Sequence, residues 1–223
     1  MRGKATILVD VSMIILLMLL MAFERIGRTA HEWLGMGMLV LFVCHHGLNR
    51  RWYKQLLRGK YPPLRILQTV LAALVFLTML GTFVSAVLIS RRVFAFLPIR
   101  SGRALGRTLH MLCTYWGFVV LSLHLGFHWK AMLGRGKRSR RPGLPVLGAC
   151  IALYGLYGLF HRGMPGYLFL RTPFVFFDFN EPLIFFFLDY LAIMGLFVWI
   201  GHYLAKGVGK LGKRCNSRRG VEG

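Results

Sequence analysis

The chain has 223 residues, of which 56% are hydrophobic and 16% are charged, and it carries a formal net charge of +22. The charges lie in short stretches between long apolar runs, which excludes an ordinary soluble domain and predicts an integral membrane protein. A basic excess of this size would suggest nucleic acid as the partner of a soluble protein. Beside membrane spans, anionic lipid headgroups are the expected partner, and no nucleic-acid partner is expected.

Six apolar stretches are candidate membrane spans. Most approach or exceed the ~20 residues that cross a bilayer, and each is predicted to be helical because lipid leaves backbone groups no other hydrogen-bond partner. The predicted fold class is therefore all-α, a polytopic membrane helical bundle formed by a single domain over residues 1–223. In chain order the predicted spans are 5–23, 31–48, 66–90, 108–133, 145–160 and 182–205.

The first span follows Arg2 and Lys4, as the apolar part of a cleaved signal sequence would. Asp10 inside it, and the lack of a small-x-small pattern before Glu24, favour a retained helix instead. Asp10 lies near the membrane edge and is expected to reach headgroup water.

The basic residues predict the orientation. If the amino terminus is cytoplasmic, the inner segments are 1–4, 49–65, 130–144 and the tail from Lys206, and together they hold 20 of the 29 Lys and Arg residues. Cytoplasmic loops carry such an excess. Both termini are therefore predicted to be cytoplasmic.

Four histidines form two pairs with equal spacing: His31 with His45, and His110 with His124. Fourteen residues of helix rise about 21 Å and complete nearly four turns, so both members of a pair project from almost the same face. Polar side chains at membrane depth are costly and require a compensating partner. The iron of a b-type haem, held between two axial imidazoles, is such a partner.

The second and fourth spans run in the same direction, because one span separates them. His31 and His110 then lie at one depth and are the predicted axial ligands of an outer haem. His45 and His124 lie deeper and are the predicted ligands of an inner haem. The spacing predicts a four-helix core that holds two haems at two levels of the bilayer.

Two further histidines leave the inner ligands open. His46 follows His45, and His128 lies one turn beyond His124. His128 lies closer than His124 to the angle of His110 around the helix, which slightly favours His128 as the inner ligand. His124 is expected at the same depth as His45, which favours His124 instead. His46 and His128 are kept as alternative ligands or as neighbours of the haem propionates.

Other residues are candidates for supporting roles. Arg28, Arg103 and Arg107 precede the outer histidines and could bind haem propionates, although membrane-edge anchoring explains them equally well. Asp189 is an ionisable group at membrane depth, with three possible roles: orienting a histidine, pairing with an outer arginine, or accepting a proton from a quinol. A structural pairing is the favoured role.

The four cysteines include no C-x-x-C-H motif, so any haem is expected to be non-covalent. No catalytic residue is predicted.

Several segments of the chain, in their order, resemble the flavinylation-associated membrane cytochromes. This resemblance implies a dihaem relative of respiratory cytochrome b and of the ferric-reductase membrane unit, in a bacterial plasma membrane, that passes electrons to an extracytoplasmic flavoprotein. The chain lacks a sequence for covalent flavin attachment, so the flavin would belong to the partner. The segments are HEWLG at 31–35, HHGLNRRWYK at 45–54, GKYPPLRILQ at 59–68, HLGFHW at 124–129, FVFFDFNEP at 174–182 and FLDYLAIMG at 187–195.

An iron with both axial positions filled has no open site for substrate, so the expected function is electron transfer. The chain is therefore expected to be a redox subunit and not a stand-alone enzyme. The expected donor is a membrane quinol or a cytoplasmic-side protein. Two alternatives remain. The chain could be the haem-bearing anchor of a quinol-linked dehydrogenase, or a transporter whose membrane histidines bind a metal ion or relay protons.

Overall fold

The computed structural model describes residues 3–59, 61–99, 101–132, 143–175 and 177–219, and all regular structure within these ranges is helical. The basic residues at 135–141, part of the predicted inner segment 130–144 and expected beside anionic lipid, lie outside the described residues. The helices are α1 Lys4–Met21, α2 Phe23–Leu48, α3 Arg50–Leu56, α4 Pro63–Ile89, α5 Arg103–Met132, α6 Gly143–His161, α7 Met164–Leu168 and α8 Leu183–Arg219.

Five of the described helices are long and apolar enough to cross a membrane: α1, α4, α5, α6 and α8. The prediction of an all-helical, multi-pass membrane chain is confirmed at this level. The predicted second span lies within α2, which has 26 residues but is not among the five. Its composition accounts for this difference, because it carries Glu24, Arg25, Arg28 and Glu32 as well as three histidines.

Most helix ends lie within a few residues of the predicted span ends. The largest difference is in α8, which continues for 37 residues to Arg219, far beyond the predicted end at residue 205. The short helices α3 and α7 were not predicted. α7 follows Gly163, whose φ of 62° is in the left-handed region that glycine tolerates best.

The chain divides into two compact units. The first comprises Met1–Lys60 and Phe83–His110, and the second comprises Tyr61–Thr82 and Met111–Gly223. In the first unit α1 packs along α2, with Leu17, Met38 and Phe42 among the buried side chains. Gly27, with φ 75° and ψ 163°, interrupts α2 just before its apolar part begins.

The second unit is held together by close helix contacts at glycines. α6 lies so near α8 that a Cβ added at Gly155 would be 2.1 Å from the carbonyl oxygen of Ala192. α5 approaches α8 in the same way, since a Cβ at Gly126 would be 2.3 Å from the carbonyl oxygen of Val198. Membrane helices use small residues to bring backbones together like this.

Candidate functional site

The first unit brings His31 of α2 and His110 of α5 together. Their ring centres are 6.1 Å apart and their planes are inclined by 70°. A metal–imidazole bond is about 2 Å long and the ring centre lies about 1 Å behind the bonded nitrogen, so imidazoles on opposite sides of one ion have centres about 6 Å apart. The observed separation suits two axial ligands of one iron.

The surroundings of His31 have two features that fit a bound cofactor. The Nδ1 atom of His31 is buried and has no hydrogen-bond partner among the described residues. Gly35, one turn further along α2, faces open space, because a Cβ added there would meet no atom of another element within 4 Å. A buried polar nitrogen without a partner is unfavourable, and such groups often mark functional positions.

Ser85 of α4 orients His110. Its hydroxyl oxygen lies 3.2 Å from the Nδ1 atom of His110, and the Ser85 side chain is fully buried. Gly106 allows this contact, since a Cβ there would be 2.8 Å from the Cγ2 atom of Ile89, so α4 and α5 lie very close at this point. When Nδ1 donates its proton to Ser85, the Nε2 lone pair remains available to a metal.

Glu32, next to His31 in sequence, fastens α2 to the connection after α4. Its carboxylate accepts hydrogen bonds from the Ser90 hydroxyl at 2.6 Å and from the backbone amides of Arg91, Arg92 and Val93 at 3.1, 2.9 and 3.0 Å. These charge-assisted bonds fix the backbone beside His31. Sequence reasoning did not identify this role, because the four donors lie about 60 residues away.

His45 is paired with a carboxylate. Its Nδ1 atom lies 2.7 Å from the Oδ1 atom of Asp10 on α1, and the Asp10 side chain is 14% exposed. The imidazole is the donor in this bond because an ionised carboxylate only accepts. Asp10 was expected to reach headgroup water, and the packing of α1 against α2 places its carboxylate on His45.

His46 faces different neighbours. Its Nδ1 atom is hydrogen-bonded to the hydroxyl of Tyr53 on α3, and its ring packs edge-on against Phe42 with ring centres 4.2 Å apart. Partial burial raises the pKa of the Tyr53 phenol above its ordinary value. The contact ties α3 to the end of α2.

His124 and His128 both lie in the second unit, with ring centres 4.7 Å apart. The proposed inner pair joins His45 of the first unit to His124 of the second. It therefore rests on the sequence spacing alone.

The three predicted propionate-binding arginines, Arg28, Arg103 and Arg107, are all exposed in the first unit. Arg103 also lines a cleft of about 300 Å³ in that unit, together with Arg91 and Phe94.

Asp189 lies at the centre of an ion-pair network in the second unit. The carboxylate is 3% exposed and accepts hydrogen bonds from Arg162 Nε at 2.7 Å and from the Tyr154 hydroxyl at 2.6 Å. Arg162 also donates to both carboxylate oxygens of Glu181. Burial alone lowers the pKa of Arg162, but the hydrogen bonds to the two carboxylates outweigh it and hold the pKa above its usual value.

No group of three or more His, Cys, Asp or Glu side chains in the described ranges could hold a metal ion. A haem iron requires only two ligands from the protein, because the porphyrin supplies the other four. Comparison of the chain with known protein families, characterised proteins and solved structures finds no match.

Proposed function

We propose that this chain is a membrane electron carrier that binds two non-covalent b-type haems, each through two histidines. The observation that carries the proposal is the pair formed by His31 and His110, whose ring centres lie 6.1 Å apart. The equal fourteen-residue spacing to His45 and His124 extends the same arrangement to a second, inner haem. In this role the chain transfers electrons across the bilayer and does not itself convert a substrate.

The haem supplies one-electron redox chemistry, and the chain's residues bind and orient it. A hydrogen bond from Nδ1–H of His110 to the Ser85 hydroxyl would leave the Nε2 lone pair of His110 available to the haem iron. Glu32 fixes the backbone next to His31 through four hydrogen bonds. With two imidazoles as axial ligands, the site favours electron transfer over the binding of oxygen or substrate.

The proposal includes a location and partners. The chain lies in a bacterial plasma membrane with both termini cytoplasmic. In this proposal α2 also crosses the membrane, which brings the number of spans to six. A quinol or a cytoplasmic-side protein delivers electrons, and an extracytoplasmic flavin-carrying protein accepts them. The sequence resemblance and the positive charge of the predicted inner segments support these assignments.

The visible spectrum of the purified chain tests the proposal. Protein made in cells supplied with haem precursor is expected to contain two haems per chain and to show low-spin b-type bands on reduction. His31→Ala and His110→Ala are each expected to lose one haem, because an iron left with a single imidazole is bound weakly. His161→Ala is the matched control, since His161 is exposed and outside the paired pattern.

A colourless wild-type protein would contradict the proposal and favour transport through the membrane histidines. Full haem content in both His31→Ala and His110→Ala would show that the pair does not bind iron. Two haems together with tight binding of a quinol-linked dehydrogenase would identify the chain as the anchor of that enzyme.

A further inference from the structure

A cleft of about 300 Å³ lies in the first unit, where α4 ends and α5 begins. Its lining is mostly apolar and includes Val87, Leu88 and Leu97, and its charged members are Arg91 and Arg103. No acidic side chain of the described residues lines it. Small-molecule sites typically have volumes of roughly 300–1,000 Å³, so the cleft has room for one polar headgroup.

The two guanidinium groups in this cleft lack a counter-charge. Within the described ranges, neither Arg91 nor Arg103 forms an ion pair. Glu32 is close by, since it accepts the backbone amide of Arg91 at 3.1 Å, but its oxygens also accept the Ser90 hydroxyl and two further amides. No Asp or Glu occurs between residues 33 and 177. Like charges in one cleft repel each other, so the cleft favours an anionic ligand.

The basic residues of the predicted outer connections are all arginines. There are nine of them, and five lie in the connection 91–107, whereas all eight lysines of the chain lie in the predicted inner segments. The bias of basic residues towards the inner side does not explain this outer cluster. The planar guanidinium binds two phosphate oxygens through parallel hydrogen bonds, which an ammonium group does not. The choice of arginine therefore favours phosphate as the ligand.

The cleft lies at the boundary of the membrane. α4 and α5 are both among the helices that are long and apolar enough to cross it, so the connection between them emerges at headgroup depth. In the same segment the side chains of Phe96 and Leu105 are 76% and 60% exposed. Basic pockets at the ends of membrane helices bind the headgroups of anionic lipids. The apolar surroundings favour a lipid phosphate over a free one.

Hydrogen bonds within the first unit hold the cleft in shape. The Ser90 hydroxyl donates to Glu32 at 2.6 Å and accepts the Phe94 amide at 3.0 Å. Gly102, with φ 81°, is in the left-handed region and turns the chain into α5, where Arg103 is the first residue. A site that is already formed loses less conformational entropy when a ligand binds.

We propose that this cleft binds the phosphate of an anionic phospholipid. Arg91 and Arg103 donate charge-assisted hydrogen bonds to the phosphate oxygens, and Val87, Leu88 and Phe94 contact the glycerol and the start of an acyl chain. The bound lipid neutralises the two cations and fastens the connection to the surrounding bilayer. This inference does not involve haem and is independent of the function proposed above.

The test is a local crosslinking measurement, because the basic inner segments also attract anionic lipid. The variant Phe96→p-benzoylphenylalanine is reconstituted into bilayers of equal parts phosphatidylglycerol and phosphatidylcholine and is illuminated. Mass spectrometry of the peptide that contains residue 96 then gives the ratio of the two attached lipids. Phosphatidylglycerol is expected to exceed its share of the bilayer by about fivefold or more, since each basic residue near a membrane contributes about that factor.

Three further variants, each made in the crosslinking background, locate the binding. In Arg91→Gln combined with Arg103→Gln, the ratio is expected to fall to that of the bilayer. Ala95→Phe, which fills the cleft and keeps both arginines, is expected to lower it as well. Arg92→Gln combined with Arg171→Gln is the matched control, because it removes two exposed outer arginines that do not line the cleft. This control is expected to keep the enrichment.

Four outcomes would overturn the inference. The first is a wild-type ratio equal to that of the bilayer. The second is an equal loss of enrichment in the control, which would indicate a diffuse effect of charge. The third is loss of the enrichment in excess inorganic phosphate, which would assign the cleft to a soluble anion. The fourth is a lower haem content in Arg103→Gln with unchanged lipid enrichment, which would assign Arg103 to a haem propionate.

Discussion

At the residue scale, the carboxylate of Glu32 connects α2 to the segment that follows α4. Its two oxygens accept four hydrogen bonds from a segment that lies about 60 residues away, and His31 is its immediate neighbour. The position of His31, the proposed haem ligand, therefore depends on a neighbouring carboxylate that is not itself a proposed ligand.

Replacing Glu32 by Gln removes the charge and one of the two accepting oxygens, so at least the Arg91 amide loses its acceptor and the remaining bonds lose their charge assistance. We expect the free energy of unfolding to fall by about 1–3 kcal/mol, together with a lower haem content at the outer site. Thermal unfolding in detergent and the haem-to-protein ratio measure the two effects. Glu24→Gln is the matched control because Glu24 is exposed. Equal stability of both variants would show that the four bonds contribute little.

The network around Asp189 predicts a structural effect and no effect on electron entry. Arg162→Met removes the cation that is bonded to the buried carboxylate of Asp189 and to the partly exposed carboxylate of Glu181, and we expect it to destabilise the protein by about 3–5 kcal/mol. Asp189→Asn keeps Arg162 paired with Glu181 and is expected to cost less. Thermal unfolding of the two variants gives the ranking.

The same Asp189→Asn variant tests the proton role. Quinol-dependent haem reduction is expected to proceed at the wild-type rate, because Asp189 is already bound to Arg162 and Tyr154. A large loss of this rate with unchanged haem spectra would instead assign Asp189 to proton uptake.

At the scale of the helices, the positions of the apolar segments could be predicted from composition alone. The contacts between neighbouring helices could not be predicted in this way. The bond between Asp10 and His45 depends on how α1 lies along α2, and hydrophobic periodicity does not encode this register. An acidic residue inside an apolar stretch was the available signal that Asp10 has a partner. Fourteen-residue spacing suggested His110 as the partner of His31, but the supporting contact with Ser85 required the close approach of α4 and α5.

The glycine contacts between α6 and α8 predict a position-specific intolerance of side chains. A Cβ at Gly155 would lie 2.1 Å from a backbone oxygen, which cannot move without separating the helices. We expect Gly155→Ala to cost about 1–3 kcal/mol of stability. Gly207→Ala, in α8, is the control, since a Cβ there meets nothing within 4 Å and alanine favours the helix. Similar melting temperatures for the two variants would contradict the close contact.

At the scale of the whole molecule, α2 decides the topology. Five of the described helices are long and apolar enough to cross a membrane, and α2 is long enough but carries charged residues and histidines. If the proposed haem binds between His31 and His110, it would bury part of this polarity and make a sixth span favourable. The proposed function then predicts that the number of spans depends on cofactor binding.

The side of the membrane on which each terminus lies distinguishes a chain with five spans from a chain with six. Six spans place both termini on the same side, whereas five place them on opposite sides. We expect reporter fusions at residue 1 and residue 223 to be both cytoplasmic. An extracytoplasmic reporter at one end alone would show that α2 does not cross, and the predicted depths of His31 and His45 would then be wrong.

The carboxylate of Glu32 also affects the exchange of backbone hydrogens. The amides of Arg91, Arg92 and Val93 lie in a connection without regular structure, where exchange with deuterium is ordinarily rapid. Because all three donate to Glu32, their exchange should be slowed towards the rates typical of a helix. The loop between α4 and α5 would then behave in solution as part of the rigid frame that carries His31 and His110.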